Sequence, residues 1–228
     1  MMLLRRNFSR RTTVELLRLA LPMVVSQGTF AVMIFTDRYF MSQIDPVHMA
    51  AALGGGVASF FSFCFFIGLF SYANALSAQY LGAGEPEKCP KVVTQGIIMT
   101  AMSAPFLTLI TFLVAGIFEG MGHEPAQVDL ERTYYLILMS GVLVTLAKTC
   151  VSSYFAGIGR TYVVMICDVF GLVINIPLCY VMVFGKMGFP ALGIVGAGIS
   201  TVIATFLAFL LFVAFYFHKE HRDKFSVM

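Results

Sequence analysis

The sequence has no tryptophan, only four histidines and only 12% charged residues in a chain of 228. That charge share is about half that of an ordinary soluble domain. Hydrophobic residues make up 59%, with 23 Phe and 14 Met among them. A single water-soluble core does not absorb so much apolar surface, so the composition points to an integral membrane protein solvated by the lipid bilayer. The five cysteines, Cys64, Cys89, Cys150, Cys167 and Cys179, are scattered, with no Cys-x-x-Cys pair and no histidine at metal-ligand spacing. Neither a disulfide framework nor a zinc site is expected, and the four in apolar segments read as small hydrophobes. His48, His123, His218 and His221 all stand at segment ends, which predicts solvated surface histidines rather than proton relays.

The motifs of an intramembrane enzyme are missing as well. There is no His-rich constellation, no close pair of membrane carboxylates and no nucleophile elbow. The expectation is therefore no enzyme, no cofactor and no nucleic-acid partner. The N-terminus does not read as a removable signal, because its basic residues run to Arg18 and the apolar run that follows exceeds the ~7–15 residues of a signal core. Asn7-Phe8-Ser9 matches a glycosylation sequon, a chance match if the N-terminus is cytoplasmic.

What the chain has in quantity is long apolar runs. Stretches of spanning length cover residues 14–41, 49–80, 91–118, 130–157, 161–184 and 191–217, separated by short polar breaks such as "LGAGEPEKCP" and "EGMGHEPAQ". The predicted fold is an all-α membrane bundle of six transmembrane helices. A basic arm (1–13) precedes the lobe (14–217), and a polar tail (218–228) follows it. Six crossings put both termini on one side, together with Arg5, Arg6, Arg10, Arg11, Lys88, Lys91, Arg160, Lys219, Arg222 and Lys224. The opposite loops hold Asp45, Glu119, Glu124 and Asp129, with Lys186 almost alone among cations. The positive-inside rule then places both termini in the cytoplasm, in a multi-pass plasma (inner) membrane protein. The arm reads as a topology signal or as a surface helix on anionic lipid.

Three polar features lie at membrane depth. Asp37, with Arg38 beside it, stands about two turns inside the outer end of the first helix. A charge near the bilayer centre costs roughly 2.5–3.5 kcal/mol, so such groups usually face a bundle interior or a wet cavity. The competing reading is a local ion pair with no part in transport. Arg38 points about 100° away, and its stem is long enough to snorkel outward. In the fifth helix, Asp168, Asn175 and Cys179 are spaced by seven and four, so they share one face. Pro177 leaves the Val173 carbonyl free there and favours a kink. Asn175 is open to two readings, a partner for a cation or protonated carboxyl, or a hydrogen bond to a neighbouring helix. Lys148 and Asp168 lie equally far from the turn at Ile158, so an antiparallel hairpin predicts that they pair, in a structural role. In the sixth helix Gly193, Ala197 and Thr201 form one small-residue ridge, and Gly196, Ser200 and Ala204 form a second. Thr201 comes to about the depth of Asn175. Gly54-Gly55-Gly56 serves either close packing or a flexible turn.

The ordered segments "LALPMVV…FTDRYF", "AQYLGAGEPEK" and "FAGIGRTYVVMICDVFGLVINIPLCYVMVFGKMGFPALGIVGAGISTVIA" resemble the multidrug and toxic compound extrusion (MATE) transporters over nearly the whole chain. The resemblance implies a proton- or sodium-coupled antiporter that exports organic, often cationic, compounds. It implies a coupling cluster at Asp37, Asn175, Cys179 and Thr201, with a bend near Pro22 joining Pro177 as a hinge element. Cys179 stands where the family commonly has Asn or Asp. Losing a hard oxygen there makes the proton a better coupling ion than sodium. Arg38 is an unexpected neighbour for the carboxylate. The family has twelve helices in two similar halves, and this chain resembles the N-terminal half. It reads as a fragment, an isolated lobe or a half-transporter, to be completed by the C-terminal lobe or a second copy. The rival readings are a flippase of lipid-linked sugars, which the scarcity of intramembrane cations disfavours, and a lobe that does not transport alone.

Overall fold

The structure, a computed structural model, describes residues 10–218, with side chains from Thr13 onward. The expected basic arm and polar tail, His221 included, therefore lie almost entirely outside the described residues. The described part is helical throughout: α1 (Arg10–Ser42), α2 (Pro46–Ser71), α3 (Ala73–Gly82), α4 (Cys89–Ile117), α5 (Pro125–Ser140), α6 (Val142–Gly157), α7 (Thr161–Phe184) and α8 (Ile194–Phe217). Five stretches are long and apolar enough to cross a membrane, and α5 with α6 makes a sixth across a 49° bend. The chain is a six-span bundle.

Two of the predicted spans are broken rather than continuous. The second divides at Tyr72, with neither glycine nor proline marking the place. The interruption is local, and Pro46–Gly82 remains one apolar span. The fourth span, expected as 130–157, starts earlier, at Pro125, and breaks at Gly141. A Cβ built on Gly141 would lie 2.8 Å from Val202 of α8, so the elbow sits where the chain crosses that helix at close range. The sixth span begins at Ile194 rather than 191, because residues 191–193 lie along the end of α7 and turn at Gly193 into α8. Leu192 N–H reaches the Met182 carbonyl at 3.0 Å and Gly193 N–H the Val183 carbonyl at 3.3 Å, satisfying acceptors that the helix end leaves free.

Small residues set the helix spacing. A Cβ on Gly196 would come 2.7 Å from the Met182 carbonyl oxygen, so α8 meets α7 backbone to backbone. Ser200 and Ala204 continue that buried ridge, while Ala197 packs with Met41, Cys179 and Val183 on the other. The glycine triplet resolves as close packing. Gly55 lies in mid-helix under Glu131, where a Cβ would stand 2.7 Å from that residue's carbonyl oxygen. Two further cores, one around Tyr135 and Leu146 and one around Tyr154, Phe155 and Phe212, fill the remaining helix junctions.

Candidate functional site

Asp37 faces the bundle interior, with only 5% of its surface exposed. Its position follows from α1, which runs unbroken through a buried Pro22 and packs closely along α7. The carboxylate meets donors from two other helices. Thr201 of α8 donates its hydroxyl to Oδ2 at 2.9 Å, and Cys179 of α7 brings its thiol within 3.4 Å of Oδ1. Asn175, one turn earlier on α7 and fully buried, donates its amide to Thr201 Oγ1 at 3.3 Å. Its own Oδ1 is buried without a hydrogen-bond partner among the described residues. The four residues singled out from the sequence thus stand together, and Met41 and Ala197 pack with Cys179 on the buried side.

On the other side Asp37 and Thr201 open onto a cavity of about 400 Å³, with aromatic walls that include Phe30, Phe60 and Tyr134. Arg38 was expected to reach outward; it lines this same cavity, half-buried, beside the carboxylate. Chemically the site is a carboxylate held by one hydroxyl and one thiol, with an orphaned amide oxygen close by. A proton on Asp37 turns an acceptor-only group into a donor. Asp37, Thr201 and Asn175 are the oxygens a hard cation would need, whereas Cys179 offers soft sulfur in place of a fourth.

Asp168 shares the face of α7 with Asn175 and Cys179 but serves a different place. It lies 2.7 Å from Lys148 Nζ, the pairing predicted from the α6–α7 hairpin, and it accepts the Ser26 hydroxyl on its other oxygen. This pair borders a second cavity of about 450 Å³. Pro177 sits inside α7 on its exposed side and withholds an N–H from the Val173 carbonyl.

One buried group was missed in the sequence. Glu131 is 1% exposed, accepts Gln127 Nε2 at 2.8 Å, and meets His123 Nδ1 at 3.1 Å. His123 is exposed, as expected of a surface histidine, and also meets this buried carboxylate, while the half-buried His48 pairs with Asp45 at 2.9 Å. The i, i+4 spacing of Gln127 and Glu131 was the available signal.

The MatE family model matches residues 22–181, which contain Asp37, Lys148, Asp168, Asn175 and Cys179. The chain belongs to the MatE family. Among its relatives, the multidrug resistance protein NorM of Vibrio vulnificus (strain CMCP6) is 30% identical over 208 residues, which is 91% of this chain and 45% of the relative. A probable multidrug resistance protein NorM of Bacillus subtilis (strain 168) is 26% identical over 93% of this chain and 47% of its own length. The fold agrees with that of MATE transporters. An outward-facing multidrug resistance MATE family transporter superposes with a TM-score of 0.80 at 21% identity, over 94% of this chain and 48% of the other. The eukaryotic MATE transporter AtDTX14 gives 0.81 at 19% identity, over 96% and 48%. The chain thus spans about half the length of the relatives it matches, as one six-helix lobe of the MatE fold.

Proposed function

We propose that this chain is the N-terminal lobe of a secondary antiporter that exports organic, drug-like cations, with proton coupling at Asp37. A C-terminal lobe or a second copy completes the transporter. The observation that carries the reading is the buried carboxylate of Asp37, held by Thr201 and Cys179 at the wall of an aromatic-lined cavity. A buried acid with few partners is the group on which adding one proton changes most. When the cavity opens outward, a proton taken up at Asp37 cancels its charge, weakens its hold on a cationic substrate and lets the substrate leave. Pro22 and Pro177 supply loosened turns in α1 and α7, the two helices that carry the site, as those helices move with the rocking lobe. The lack of a hard oxygen at Cys179 supports the proton over sodium, and the names of the relatives support drug-like substrates. The charge asymmetry of the loops supports cytoplasmic termini.

The test is an efflux assay on the completed transporter across a range of external pH. Asp37→Asn should abolish the pH dependence and reduce export. Export with an unchanged pH profile would overturn the proposal. Expressing the chain with and without a second lobe shows whether completion is required.

A further inference from the structure

The second cavity differs in chemistry from the Asp37 site. Its charged element is the Lys148–Asp168 pair, contributed by α6 and α7, and it is not sealed in the core: the side chains are 26% and 12% exposed. Asp168 Oδ1 lies 2.7 Å from the ammonium, a charge-assisted contact. Asp168 has a second anchor in the Ser26 hydroxyl on Oδ2. Lys148 has no such anchor among the described residues, and its ammonium carries three donors on a flexible four-carbon stem. Ser152 and Ser153, on the same helix, line the cavity beside it. This wall offers a cationic donor, whereas Asp37 offers an acceptor.

The two cavities are neighbours with common walls. Phe30, Met33, Phe60, Phe63, Thr145 and Thr205 line both. The shared wall of Phe30, Phe60 and Phe63 thus has an acceptor, Asp37, in one cavity and a cationic donor, Lys148, in the other.

We propose that Lys148 is a substrate-binding residue that takes the carboxylate or sulfonate of a zwitterionic aromatic compound whose cationic end lies toward Asp37. The ammonium has three donors, so it takes the acidic group while Asp168 stays in place, held on its other oxygen by Ser26. This deepens the proposed export function and rests on it only for the step of transport, because binding is measured separately.

The probes are a cationic rhodamine carrying a free benzoate and the methyl ester of the same dye. Fluorescence anisotropy is read on the full chain purified in detergent. The wild type should bind the acid about tenfold more tightly than the ester, the worth of one charge-assisted contact. Lys148→Gln combined with Asp168→Asn, which keeps the site neutral, should bring the two affinities within about twofold by weakening the acid alone; Lys148→Arg should keep the preference. Equal binding of the two dyes by the wild type would overturn the proposal without any variant. So would a preference that survives in the double variant, which assigns it to Arg38, or an equal loss of both dyes, which assigns the pair to structure. If the acid preference holds while the completed transporter moves neither dye, the site stands and the transport reading falls. Dye export without any acid preference gives the reverse.

Discussion

Thr201 and Asp37, 164 residues apart, are joined by a hydroxyl–carboxylate hydrogen bond of 2.9 Å, and the same hydroxyl accepts the amide of Asn175. One side chain therefore ties α1, α7 and α8 together at the charge. Thr201→Val keeps the shape but removes both bonds, leaving Asp37 with a weak thiol donor. A lost hydrogen bond to a charged group is worth ~1.5–3 kcal/mol, so export by the completed transporter should fall at least about tenfold. Thr201→Ser should stay within about threefold of wild type. Wild-type export by the valine variant would show that the hydroxyl has no part in the site.

Gly55 and Gly56 make a matched pair for testing helix spacing. A Cβ at Gly55 meets the Glu131 carbonyl oxygen at 2.7 Å, a backbone atom that does not swing aside, whereas a Cβ at Gly56 finds nothing nearer than 3.8 Å. Gly55→Ala should destabilise the bundle by ~1–3 kcal/mol, as overpacking does, and lower the melting midpoint in detergent. Gly56→Ala should leave the midpoint where it is. Equal midpoints for the two variants would mean that α2 and α5 do not pack this closely.

The buried Glu131 and its partner Gln127 give a prediction of non-additivity. Glu131→Met takes the Glu131 acceptor from the half-buried Gln127 amide and should lower stability. Removing both polar groups in Glu131→Met/Gln127→Leu should restore part of that stability, since replacing both partners of a bond by apolar groups approaches neutrality. A double variant less stable than the single one, measured by thermal melting in detergent, would count against a hydrogen bond at this place.

What was legible in the sequence was set by strong, long-range-independent signals. A 24-residue apolar run such as Thr161–Phe184 has one solution in a bilayer, and its limits were read to the residue. Lys148 and Asp168 met because equal distances from a tight turn fix depth in a hairpin, whatever the rest of the bundle does. The Asp37 cluster came from resemblance, since helical spacing relates Asn175 to Cys179 but not either of them to α1. Where helices break was illegible: Tyr72 carries no breaker, and Gly141 bends because Val202 of another helix lies against it. The surroundings of Arg38 were illegible for the same reason: its cavity wall is built by elements far along the chain.

Asp45 joins the first two spans and caps α2, accepting the His48 backbone N–H at 2.7 Å and the His48 ring at 2.9 Å. The backbone hydrogen bond first, and the side-chain one second, hold its carboxyl below the ordinary value of 3.8. A carboxyl lowered on folding stabilises the folded state above its ordinary value, and that contribution fades as pH falls through the lowered one. Asp45→Ala should therefore melt below wild type by a constant margin from about pH 7 to pH 5, and the margin should shrink as the pH drops toward 3. Asp45→Asn keeps an acceptor at the cap and should lie close to wild type, its smaller deficit closing in acid over the same range. A margin between alanine variant and wild type that widens on acidification would reverse the sign, and with it the assignment of the capping bond to the ionised carboxylate.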